Sequence, residues 1–393
     1  MCIAPVIFSA ALIYTGHVQQ SAQMRKSGAR RPSPIARIRV IRINLAAFGW
    51  KPRPTSIENN GEFGPQLATD SEDRVLVSFV TRGPIRLTRR GNPHLRFHVL
   101  RFARNGKPDL SLSIPTDHWW SNGLYIDNHD KIIVQAGGKL KLLVSPPNHF
   151  NGSGLWKTLT SCGSNCWVVE SHSRRTFYVD QQTDSDNGQQ LILLDRDHPT
   201  EVSYCNLPSW IPVDSRGEFG ITDHFAYWND THGNPPMPPP VFYRWPLCHY
   251  TKRTTLPIQY RGLAMTVLGN HSLILTRSQG EVIFYNSQGK VLRKLHLRLG
   301  KHEGAVVKIS QNGARLAALG MTQCRCSWLP DATVRLTAER IIMVSLKSGQ
   351  QLASIPDVHL TWSPEMVISP NGKRVAVLQQ TTKKADLTIV TVR

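Results

Sequence analysis

The side chains best suited to chemistry in this sequence are three Asp-His pairs, a tryptophan doublet and seven cysteines. Asp117-His118, Asp197-His198 and Asp223-His224 each set a carboxylate beside an imidazole, the partnership that holds a metal or orients a general base. Each lies near an expected boundary between repeats, where loops converge on a common axis. Geometry counts against catalysis, because adjacent residues on an extended chain point to opposite faces. The same dipeptides also suit turns, where Asp bonds to its own backbone. Trp119 and Trp120 follow His118 directly. On a strand one of them faces the core and the other faces out, and an exposed tryptophan rimmed by polar groups anchors partners; packing between sheets accounts for the doublet as well. His118, Trp119, Trp120 and His224 are therefore the candidate binding residues. No residue is assigned a catalytic or metal-binding role and no cofactor is expected. The G-x-S-x-G, H-E-x-x-H, G-x-G-x-x-G and P-loop patterns do not occur.

The cysteines are too few to build a fold of this length. Cys162-x-x-x-Cys166 and Cys324-x-Cys326 look like half-sites for zinc, but a zinc site draws four converging ligands, usually from two knuckles, and neither has the two-residue spacing. Buried or loosely paired thiols are the simpler reading. In an oxidising compartment Cys162–Cys166 or Cys324–Cys326 could close as a disulfide. The odd count leaves at least one cysteine unpaired within the chain.

A chain of 393 residues with 40% apolar and 19% charged content has enough material for a large core. The net charge of +20 is concentrated at the ends. Nine Lys or Arg precede the first acid, Glu58; residues 111–250 carry 9 bases against 14 acids; from 251 onward there are 20 bases and 7 acids. Such ends can draw a protein to an anionic polymer. Stacking aromatics are not interleaved with the bases there, and Trp119 and Trp120 lie in the acidic middle. Nucleic acid is therefore disfavoured as a partner.

Cys2 to Tyr14 is an uncharged apolar run of 13, too short to span a bilayer. No basic residue precedes it and a basic cluster follows, the reverse of a secretory signal's polarity. A cytoplasmic protein is favoured over an exported one; a transit peptide, or translation from Met24, are further readings. Residues 1–35 are expected to be a disordered or targeting segment, with a single domain over 36–393.

The elements that must position these residues show in the turns. Ser369-Pro370-Asn371-Gly372 feeds Lys373–Leu378, and Ser310-Gln311-Asn312-Gly313 feeds Arg315–Leu319. Looser copies occur at Asp70–Ser78 and Asp127–Gln135. A second turn, polar residues closing on Gly-Lys or Gly-Gln, recurs at Val99–Lys107, Ile283–Lys290 and Ile342–Gln350. Two turn types alternating every 40–50 residues or so, with no sustained helical stripe, describe four-stranded antiparallel units. The prediction is an all-β fold, a β-propeller of seven four-stranded antiparallel blades.

The last unit supplies only three strands. Arg37–Leu45 alternates bases with Ile38, Val40, Ile41 and Ile43, as a strand with one wet face would. This N-terminal strand, within 36–46, is expected to complete the ring, with Lys51–Gly61 as a linker. The proline run Pro235 to Pro240 reads either as a surface loop or as a polyproline ligand. In Lys294–Leu299 the residues Lys294, His296 and Arg298 share one face, which a solvated blade edge explains.

The segments SPNGKRVAVL and SQNGARLAAL resemble the turn-and-strand element of bacterial WD40-like and YVTN-type β-propellers, and of the related TolB-type repeat. Within the repeats the Gly-His and Trp-Asp dipeptides of eukaryotic WD40 repeats are missing. The resemblance implies a propeller that binds partners, not an activity. The function expected is a non-enzymatic platform, a monomer without a transmembrane span that holds a protein partner or small ligand at one propeller face. The alternative is a metal-assisted lyase or hydrolase with its site in loops at one mouth of the channel.

Overall fold

Each clear repeat starts with a side-chain oxygen at the end of a short strand, which turns the chain back on itself. Ser310 Oγ accepts the Arg315 N–H and Ser369 Oγ accepts that of Arg374, both at 3.0 Å. Asp70 Oδ1 does the same for Arg74 and Asp127 Oδ1 for Lys131, each at 2.8 Å, and Thr222 Oγ1 accepts the Phe225 N–H at 3.0 Å. Four of these turns pass through a left-handed residue three positions on: Asp73, Asp130, Gly313 and Gly372, with φ of 61°, 59°, 67° and 73°. Asp tolerates that conformation better than most residues, so DSED and DNHD make the same bend as SQNG and SPNG.

In the computed structural model of the chain these turns join the first two strands of successive antiparallel sheets. The structure describes residues 14–16, 36–44, 66–82, 95–116, 123–136, 138–148, 152–161, 166–169, 176–182, 189–207, 219–230, 241–258, 264–268, 273–276, 280–299, 303–325, 334–361, 365–380 and 385–392.

Two strands, β1 (Tyr14–Gly16) and β2 (Ala36–Ile43), precede the first blade. That blade holds β3 (Gln66–Thr69), β4 (Val75–Arg82), β5 (Leu95–Phe102) and β6 (Pro108–Thr116). The second holds β7 (Leu124–Ile126), β8 (Ile132–Gln135), β9 (Lys139–Ser145) and β10 (Leu155–Ser161). The third holds β11 (Cys166–Val169), β12 (Thr176–Gln182), β13 (Gln189–Asp195) and β14 (Val202–Leu207). In the fourth, β15 (Phe219–Ile221), β16 (Phe225–Asp230) and β17 (Val241–Pro246) are followed by a 3-10 turn at Tyr250–Lys252 and β18 (Thr254–Leu256). The fifth has β19 (Ala264–Val267), β20 (Leu273–Thr276), β21 (Glu281–Tyr285) and β22 (Val291–His296). The sixth has β23 (Glu303–Ile309), β24 (Arg315–Arg325), β25 (Val334–Ser345) and β26 (Gln351–Thr361). The seventh starts with β27 (Glu365–Ile368), β28 (Arg374–Gln380) and β29 (Ala385–Val392).

The fourth strand of the seventh blade is β2, which pairs antiparallel with β29 from Ala36↔Val392 to Ile43↔Ala385, as the sequence leads one to expect. The short β1 adds outside it. First strands of neighbouring blades touch one another (β23 with β27, β27 with β3, β3 with β7, β15 with β19), so they surround the axis.

Apolar side chains lie between blades rather than inside one slab. Among the described residues there are seven buried clusters, one for each pair of neighbouring blades. Seven interfaces among seven sheets require a closed ring, because a linear stack has one interface fewer. The closing cluster packs Ile41 and Ile43 of β2 and Leu387 and Ile389 of β29 against Val75, Phe79 and Phe102 of the first blade. The protein is a seven-bladed β-propeller.

The expectation of one wet face on the closing strand is corrected. Ile41 and Ile43 are buried toward the first blade, and Arg39 lies on their face. Ile38, on the other face, packs toward the sixth blade. Blades stack face to face, so neither face of the strand is wholly wet, and the arginine extends past the core to the rim. The outer strands β10 and β14 are also additions to the sequence reading. Their burial is patchy, because the outermost strand of a blade meets solvent and needs no apolar alternation. At the outer edge of the fifth blade, Lys294 pairs with Glu281 at 3.3 Å, in line with a solvated edge there.

Candidate functional site

The described turns between first and second strands emerge on the same face of the ring as the described turns between third and fourth strands. Hydrogen bonds link these turns from blade to blade. Asn312 N–H donates to the Pro370 carbonyl (3.2 Å), and Arg315 Nη1 to that of Gly372 (3.3 Å), joining blades six and seven. Arg374 Nη1 donates to the Asp73 carbonyl (3.0 Å) and Thr69 Oγ1 to that of Ile368 (3.4 Å), joining seven to one. Ser71 donates both N–H (2.8 Å) and Oγ–H (2.5 Å) to the Asp130 carboxylate, joining one to two. Asn128 gives its N–H to the Arg196 carbonyl (3.1 Å) and Nδ2 to Asp197 Oδ1 (2.8 Å), joining two to three. Five consecutive blades are thus tied to one another at the rim.

On this face lies an open depression of about 430 Å³, lined by Asn128, Gln311, Asn312, Pro370 and Asn371. The lining comes from blades two, six and seven. Blades two and six are not neighbours, so the space opens toward the ring axis. Asn312 Oδ1 accepts from Ala314 N (3.0 Å) and Ser310 Oγ (2.7 Å); Asn371 Oδ1 accepts from Lys373 N (2.8 Å) and Ser369 Oγ (3.0 Å). These bonds fix the orientation of both amides and use up their oxygens. Each has its NH2 left to offer, as a neutral donor. A ligand that fits must bring acceptors such as carbonyl, hydroxyl or carboxylate oxygens. Nearby, Asp70 is buried against Arg74 (2.5 Å); burial pushes its carboxyl up, against the pull of that guanidinium.

His224 is in the β15–β16 turn on this same face and is exposed, but it does not line the cavity. Its N–H is 3.4 Å from Thr222 Oγ1, and its carbonyl accepts the Leu247 N–H at 2.8 Å. His118, Trp119 and Trp120 lie outside the described residues, as do Cys162, Cys326 and Pro235 to Pro240. The expectation that the Asp-His pairs mark blade boundaries is corrected for two of them. Asp197-His198 sits in the β13–β14 turn and Asp223-His224 in β15–β16, both inside blades. Asp195 Oδ1 accepts the N–H groups of Asp197 (2.7 Å) and His198 (3.0 Å), a turn role supplied by a neighbouring aspartate.

The cavity residues belong to the very turns that identify the fold, yet as single residues they carry no chemical signature. The available signal was topological: turns at one repeated position must converge when the repeats close into a ring. A disulfide, Cys205–Cys248, was also missed. It joins β14 of the third blade to the turn after β17 of the fourth, across 43 residues, where no local spacing announces it. Among the described residues no three His, Cys, Asp or Glu side chains are grouped as metal ligands would be. No described helix is long and apolar enough to cross a membrane.

No protein-family model and no curated protein matches this chain. Solved structures do. The Dos1 propeller is 12% identical, with 87% of this chain and 94% of that chain covered and a TM-score of 0.42. The WD40 β-propeller domain of Doa1 is 13% identical, with 83% and 97% covered and a TM-score of 0.43. A chain of the mitotic checkpoint complex is 12% identical, with 95% and 99% covered and a TM-score of 0.48. At these values the fold assignment rests on strand order and the interblade cores alone.

Proposed function

We propose that this propeller is a non-enzymatic binding platform, a monomer that holds a protein partner or small ligand on the turn face around the amide-lined mouth. The observation that carries the reading is the open depression bounded by Asn128, Gln311, Asn312 and Asn371, set in turns tied by blade-to-blade hydrogen bonds. A rim that needs no ordering loses little entropy on binding. Neutral donors suit the main-chain carbonyls of a peptide loop or the oxygens of a small polar molecule. On this reading the repeats belong with the WD40-like, YVTN-type and TolB-type propellers that they resemble, and residues 36–393 act as one domain.

Gln311 lines the mouth and holds no turn together, so Gln311→Arg fills the opening without disturbing the fold. Immobilised wild-type protein should retain a stoichiometric partner or small molecule, identified by mass spectrometry, and Gln311→Arg should lose it. Lys294→Gln, at the outer edge of the fifth blade, should keep it. Equal retention by all three proteins would place binding elsewhere. The enzyme alternative is separated by metal analysis of the purified protein: a bound metal at one equivalent would favour it.

A further inference from the structure

Where the seventh blade meets the first, two guanidinium groups converge on one peptide oxygen and a third leaves from the same residue. Arg39 of β2 donates Nη1 to the Arg104 carbonyl at 3.2 Å, and Arg374 at the start of β28 donates Nη2 to that oxygen at 3.3 Å. The Arg104 side chain itself donates Nε to the Glu72 carbonyl at 2.6 Å, and Arg374 donates Nη1 to the Asp73 carbonyl at 3.0 Å. All these partners are neutral carbonyls.

The carboxylates nearby are largely committed. Asp70 and Glu72 both pair with Arg74, at 2.5 and 3.3 Å, and Asp73, with Asp70 behind it, favours the Arg374 charge. Burial lowers the Arg374 pKa; Asp73 opposes this, while Arg104 and Arg39 add to it. Arg104, Lys107 and Lys373 are exposed, so the cluster opens to solvent. Gly106 makes room for it: a Cβ there would stand 2.7 Å from Arg39 Cδ. None of the three arginines lines the central cavity.

Asp73 and Asp70 offset only part of the charge of three neighbouring guanidinium groups, and the guanidinium fork matches the oxygens of a tetrahedral oxyanion. We propose that the seam between the seventh and first blades, formed by Arg39, Arg104 and Arg374, binds a phosphate or sulfate group. The group arrives either as the free ion or carried on an anionic polymer.

The test is calorimetric titration of the full-length protein with inorganic phosphate at low ionic strength, with chloride as the matched control. The expected result is saturable binding at one site. Arg104→Gln, at an exposed side chain, should weaken it about tenfold or more, the worth of one charge-assisted hydrogen bond. Lys107→Gln, whose side chain holds none of these carbonyls, should weaken it less, with melting unchanged. A second titration uses a heparin oligosaccharide. Competition with phosphate, lost in Arg104→Gln, would assign the site to a polymer-borne group; saturable phosphate binding without such competition would assign it to the free ion. Absence of saturable phosphate binding, or equal binding by wild type and Arg104→Gln, would overturn the proposal.

Discussion

At the scale of single residues, His98 gives the plainest consequence of burial. Its ring stacks on Phe79, centroids 5.1 Å apart, and is 4% exposed. Burial, and secondarily the charge of Arg96, holds its pKa down at about 4 from an ordinary 6.5. Between those two values the unfolded chain binds a proton that the folded chain refuses. Stability therefore falls as pH drops from about 6.5 to about 4 and loses nothing further from this group below that, a total of roughly 3 kcal/mol. Asp70, whose carboxyl is raised, acts in the opposite sense at the acid end of the window, so the comparison must be made between variants. Urea unfolding of His98→Phe should show a markedly shallower decline from pH 7 to 4.5 than wild type; an unchanged decline would refute the assignment. The turns allow a similar pairing. Gly372 and Gly313 share the left-handed position, but a Cβ at Gly372 would stand 2.8 Å from Arg315 Cβ while one at Gly313 meets nothing within 4 Å. Gly313→Ala should cost about 1 kcal/mol for the backbone alone, and Gly372→Ala distinctly more, from the strain at the joint of blades six and seven. Equal costs would mean that joint is loose.

At the scale of elements, legibility followed solvent exposure. The inner strands could be read because burial on both faces demands aliphatic runs such as Val375–Leu378 and Leu316–Leu319, and their turns because a capping oxygen and a left-handed residue are needed at fixed offsets. The copies with Asp70 and Asp127 looked loose only because Asp replaces both Ser and Gly while keeping the geometry. Outer strands such as β10 and β14 were hidden because one side of them faces water. The cavity was hidden for another reason. Asn128, Gln311 and Asn371 are ordinary turn residues along the chain, and only closure of the ring brings them to one opening. The Asp-His pairs drew attention through composition, and the two that are described proved to be turn elements. Cys205 and Cys248 become partners only because adjacent blades stack, β14 against the turn after β17.

At the scale of the molecule, every inference about the face depends on the ring being shut. Closure spreads the core over seven equivalent interfaces among the described residues, removes the exposed sheet edges of a linear stack, and creates both the mouth and the arginine seam. Amide hydrogen exchange of the intact chain, read by mass spectrometry on peptides covering β2 and β29, tests this most directly. If β2 is the outer strand of the seventh blade, Ala36–Ile43 should be protected to nearly the same degree as Ala385–Val392, and removal of residues 36–46 should strip protection from both and from Val75–Phe79. Rapid exchange of Ala36–Ile43 alongside a well-protected β29 would mean that the ring is open, and both the mouth and the seam would go with it.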